Sequence, residues 1–204
     1  MERNQISNEI FALIIDWDLF ANPRGRRIEV IASDYSVHPS QVLDLRRLFT
    51  AMKMAGEIIW FEFGGNFYVD LDGPTTHALL KFLKTPEKAS IIGSSFAVTN
   101  VLLQLGFKYK MDDLMKAAGE VFIERIDGNE WKDQEKLWEL HAWIVSKTNQ
   151  TNGEIPPLLM PLKGSITKFF RKNLSNTRNQ RIRSPAAGQN VFQSFWIMNA
   201  NYML

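Results

Sequence analysis

The feature that most limits how this chain can fold is a change of hydrophobic period between residues 57 and 72. Ile59, Phe61 and Phe63 alternate with Trp60 and Glu62; Gly64-Gly65-Asn66 follows; then Phe67, Val69 and Leu71 alternate with Tyr68 and Asp70. A period of two marks strands with one buried face, and a glycine-containing turn between two such runs marks a β-hairpin. On both sides of it the apolar residues recur at helical spacing. The expected fold class is therefore α+β and mostly α: an N-terminal helical domain with one small hairpin, then a helical bundle and a C-terminal arm.

Before the hairpin, Ile10, Phe11, Ile14, Ile15 and Leu19 space a helix over residues 8–20, closed by Asn22-Pro23-Arg24-Gly25. A short helix is expected over 27–35. Another is expected over 39–55, with Pro39 in its first turn, Val42, Leu45, Leu48, Phe49 and Met52 as its apolar stripe, and Gly56 as its stop. After the hairpin, helices are expected over 76–84, from Thr85-Pro86 to Gly106, over 111–126 and over 131–147. The polar run Asn149-Gln150-Thr151-Asn152-Gly153 and the prolines Pro156 and Pro157 mark the clearest boundary. Beyond it, 164–173 reads as a short helix and 174–204 carries no period. These marks divide the chain into 1–73, 74–150 and 151–204.

Ala32, Ser36 and Val42 stand at the spacing of a helix-turn-helix over residues 28–48: a small residue in the first helix, a turn residue four positions on, and an aliphatic in the second helix. Followed by a hairpin, the segment 8–71 resembles a winged helix domain. The resemblance implies DNA contact through the second helix of the pair, with Ser40, Gln41, Asp44 and Arg47 toward the groove and Arg46 on phosphate. Arg24, Arg26 and Arg27 would add phosphate contacts. The hairpin departs from the family pattern, because it has no Lys or Arg and contains or adjoins Glu57, Glu62, Asp70 and Asp72.

Charge is unevenly divided. Lys163, Lys168, Arg171, Lys172, Arg178, Arg181 and Arg183 are the only charged residues after Glu154, giving +7, whereas residues 1–154 hold 17 basic and 22 acidic residues, a balance of −5. Such a split suits an arm that meets a polyanion or the acidic body of another copy. Arginines mixed with Asn, Ser and Thr suit phosphate and sugar contacts, and Phe169 and Phe170 are candidates for base stacking. Phe192, Phe195, Trp196 and Tyr202 make the last fifteen residues aromatic and free of charge, which points to a docked terminus.

Catalytic and metal chemistry find little support. The chain has no cysteine, and His38, His77 and His141 are too scattered for a metal-ligand pattern. Asp16 and Asp18 are two apart on a helix and diverge, while Asp112 and Asp113 favour a helix start. Neither a phosphate loop nor a nucleophile elbow is present. The opening residues lack the order of a secretory signal, and the longest uncharged run before the C-terminal stretch, 89–107, is interrupted by polar residues. The sequence thus leads to a non-catalytic nucleic-acid-binding protein, a regulator or replication accessory, DNA or RNA being open. It would be a homo-oligomer, cytoplasmic, with no cofactor and no membrane partner. A self-assembling viral coat or nucleocapsid subunit, then located in the virion, is the alternative, and an interaction module without nucleic acid a third.

Overall fold

The computed structural model describes residues 27–56, 61–62, 66–147 and 156–183, with residues 53, 61, 62 and 174–183 described by backbone alone. The expected helix over 8–20, Arg24, Arg26, the 149–153 linker and the aromatic terminus lie outside the described residues. The described part is mostly helical with one small sheet. It divides into two compact units, Met1–Phe122 and Ile123–Leu204.

The first unit begins with a correction. Residues 27–35 do not form a helix: β1 (Arg27–Ile31) runs into β2 (Val37–Gln41) as an antiparallel hairpin, with Val30 opposite His38. Strict alternation decides it. Ile28, Val30 and Ala32 are buried while Arg27 and Glu29 are exposed, and the β-branched residues suit a pleated surface. The turn closes with the Tyr35 N–H donating to the Ala32 carbonyl at 2.9 Å and the Ala32 N–H to the Ser36 carbonyl at 3.0 Å. Tyr35 takes the left-handed position, φ 64°, that glycine or asparagine usually fills. Ser36 therefore turns a hairpin, and no helix-turn-helix spans 28–48.

Pro39, expected at the start of a helix, lies instead in the edge strand β2, where a missing N–H is tolerated. The helix starts three residues later, as α1 (Val42–Met54), and ends at Gly56, whose φ is +74°. The expected second hairpin is present: β3 (Phe61–Glu62) pairs antiparallel with β4 (Asn66–Tyr68). All four strands form one sheet in the order β2-β1-β4-β3, with β1 and β4 parallel. A parallel neighbour needs a crossover, and α1 lies in that connection. It covers the inner face of the sheet: Val42, Leu45, Leu48 and Phe49 are buried with Ile28, Val30 and Phe67, and the Phe49 and Phe67 rings meet edge to face at 4.8 Å.

Next comes α2 (Gly73–Lys84), capped by Asp72, whose carboxylate accepts from the Thr75 N–H at 2.8 Å. The single helix expected from Pro86 to Gly106 is broken. A short 3-10 turn (Lys88–Ser90) leads through Ile91, which is buried, and α3 (Phe96–Lys108) starts afresh at Ser95, whose hydroxyl caps the Val98 N–H. Gly106 does not end this helix. A Cβ there would stand 2.7 Å from the backbone nitrogen of Met115, so the glycine lets α3 meet α4 (Asp112–Asp127) at backbone contact.

In the second unit, α5 (Gln134–Ser146) and α6 (Met160–Arg183) bury Leu137, Leu140, Ile144, Leu162, Ile166 and Phe170. The Ser165 hydroxyl donates to Asp127 at 2.9 Å. The short helix expected over 164–173 is thus part of a 24-residue helix that starts earlier and continues to Arg183.

Candidate functional site

Three surfaces of the first unit and one of the second gather the chemistry. The first is a cleft of about 570 Å³ beside the edge strand β2, between it, the first turn of α1 and one side of α2. Helical spacing puts His77, Leu80, Lys81 and Lys84 on that side of α2, opposite the buried Ala78, Leu79, Phe82 and Leu83. From the sheet come Arg27, His38, Ser40 and Gln41, and from α1 comes Asp44. The His38 and His77 rings lie 6.1 Å apart.

His38 is oriented from behind. Ser36 Oγ donates its one hydrogen to Asp34 Oδ1, so its contact with His38 Nε2, at 3.0 Å, is one in which the ring N–H donates. In the neutral ring this leaves Nδ1 as the acceptor. The Ser36 hydroxyl first, then the N–H groups of Ser36 and Gly73, hold the Asp34 carboxyl below its ordinary value of 3.8. Asp34 Oδ2 accepts from the Gly73 N–H at 2.9 Å, tying the hairpin turn to the start of α2. A Cβ at Gly73 would overlap both Ser36 Oγ and Asp34 Oδ2, so any other residue there has to displace these two side chains from their hydrogen-bonded positions.

A second groove lies on the other side of α1. Arg46, Arg47 and Thr50 line it with Lys108, Lys110, Asp112 and Asp113. Arg47 is ion-paired there, its Nη2 2.7 Å from Asp113. The residues expected on one recognition helix are therefore divided: Ser40 and Gln41 are on a strand facing the first cleft with Asp44, while Arg46 and Arg47 face the second groove.

The third surface is the outer face of the sheet. The register sets Val37, Ile31 and Tyr68 abreast across β2, β1 and β4, pointing away from the buried Val30 and Phe67. Val37 is 52% exposed, Tyr68 41%, and Tyr35 in the adjoining turn 85%. Farther along the strands this face turns polar, with Glu29 and Arg27 exposed.

In the second unit, the exposed Lys168, Arg171 and Lys172 stand at i, i+3 and i+4 on α6, away from the buried Leu162, Ile166 and Phe170. Lys163 is half-buried. Arg178, Arg181 and Arg183 continue the same helix by backbone. Phe170 is not available for base stacking, because it is 1% exposed and packs edge to face against Trp138 at 6.0 Å.

Lys81 and Lys84 were not singled out by sequence reasoning, although the signal existed as cations three apart on the polar side of an amphipathic pattern. Among the described residues no group of three His, Asp or Glu is placed to hold a metal ion, and no helix is long and apolar enough to cross a membrane. Comparison with protein-family models, with curated proteins and with solved structures finds no match.

Proposed function

We propose that this protein is a non-catalytic interaction module that works as a homo-oligomer, joined through the outer face of its sheet. The observation that carries the reading is the apolar row Val37–Ile31–Tyr68 with Tyr35 beside it. A contiguous exposed apolar patch rimmed by charge is a usual mark of a protein contact. A second copy is the partner that fits, because the −5 and +7 portions of each chain attract the opposite portion of the other. Pro39 keeps the contact on the face, since it blunts β2 as a template for edge-to-edge pairing. Light scattering on the full chain is the test: a defined oligomer is expected for the wild type and a monomer of unchanged helix content for Val37→Glu with Tyr68→Glu. A wild-type monomer, or an oligomer indifferent to these changes, refutes the reading.

A second reading, nucleic-acid binding, is favoured by α6, where Lys168, Arg171 and Lys172 present fixed cations on one exposed side. Clustered cations on a helix bind phosphate backbones with strong salt dependence and little sequence preference. With the helix pair absent from 28–48, this surface supports a coat-like or accessory role better than a sequence-reading regulator.

A further inference from the structure

The cleft between β2 and α2 has the lining of a small-ligand site, and we infer that it binds a nucleotide: a phosphate ester bearing a ribose and a flat base. The inference stands on this cleft alone and is independent of how copies of the chain associate. Its volume of about 570 Å³ lies in the range of small-molecule sites, ample for a nucleoside diphosphate.

The lining divides into parts that match the parts of such a ligand. Among the described residues, Arg27, Lys81 and Lys84 bring three cations from a strand and a helix, against one carboxylate, Asp44. Lysines at i and i+3 act on the same anion, and the arginine fork adds directional donors. Asp44, held at the first turn of α1, repels phosphate but accepts hydrogen bonds from ribose hydroxyls, and Ser40 and Gln41 beside it supply further donors and acceptors. The two imidazoles, 6.1 Å apart, offer flat faces for a base.

One part of the site is built in advance. The Asp34–Ser36–His38 chain of hydrogen bonds fixes the His38 ring and its tautomer from the side away from the cleft, and the Gly73 N–H anchors that chain to α2. The His38 ring is held by Ser36, and Ser36 in turn by Asp34, before any ligand arrives. Preorganisation of this kind lowers the entropy lost on binding.

Isothermal titration of the full chain with ADP, adenosine and pyrophosphate decides the matter. ADP is expected to bind, with adenosine and pyrophosphate each weaker by about tenfold or more, since each lacks one half of the recognised chemistry. Lys81→Gln with Lys84→Gln is expected to weaken ADP by about tenfold or more, whereas Lys168→Gln, Arg171→Gln and Lys172→Gln together leave it within about twofold. These are exposed positions, so the variants are expected to fold, with circular dichroism as the check. Absence of ADP binding at millimolar concentration, pyrophosphate as tight as ADP, or indifference to the Lys81 and Lys84 changes each overturns the inference.

Discussion

Gly106 and Gly119 sit in neighbouring helices, and the structure predicts opposite outcomes for replacing each with alanine. Within a helix the change is worth up to about 1 kcal/mol of stability. Nothing stands within 4 Å of a Cβ at Gly119, so Gly119→Ala is expected to raise the urea midpoint. At Gly106 the new methyl group meets the Met115 backbone, which cannot swing aside, and overpacking of about 1–3 kcal/mol outweighs the propensity gain. His141 carries a second prediction at this scale. Burial first, and the charge of Lys163 second, lower its pKa below 6.5, so the folded ring stays neutral where the unfolded ring takes a proton. Its contribution to stability is whole above pH 6.5 and is lost as pH falls from there toward the folded value. His141→Gln is therefore expected to lose less stability than wild type between pH 7.5 and 5.5 in denaturant melts; equal losses would exclude the ring as the source.

Elements differ in how plainly the sequence announces them. The β3–β4 hairpin was legible because its alternation surrounds a glycine turn. The β1–β2 hairpin was hidden by its turn, which places Tyr35 where glycine or asparagine belongs, and by Ile28, Val30 and Ile31, whose spacing also suits a short helix. That strained position predicts a gain: Tyr35→Asn should stabilise the protein by about 0.5–1 kcal/mol, measured as a higher melting temperature, because asparagine tolerates the left-handed region. The long helix α6 was underestimated for a different reason. Its later turns contain arginine and amide residues without apolar spacing, so periodicity stopped before the helix did. The cleft was half legible. Ser40, Gln41 and Asp44 were singled out on a helical argument, yet a strand and the first turn of α1 bring them together, and the cations opposite come from an element beyond the reach of local motifs.

At the scale of the whole molecule, the two readings of function differ in what they assemble. A homo-oligomer joined through the sheet has a fixed mass that does not depend on added nucleic acid. Binding along α6 predicts instead a rise in mass and in the 260 to 280 nm absorbance ratio when single- or double-stranded probes are supplied, reversed by salt. Replacing Lys168, Arg171 and Lys172 with Gln, together with Arg178, Arg181 and Arg183, should abolish that rise; retention of the probes would remove α6 from consideration. The sheet itself has a consequence for synthesis. Because β1 lies between β2 and β4, and β4 is made only after α1 and β3, the nascent hairpin leaves the ribosome with one side of its central strand unpaired. Until Asn66–Tyr68 emerges, that side remains open to strands of other nascent chains, and the moment of greatest aggregation risk falls midway through translation of the first unit.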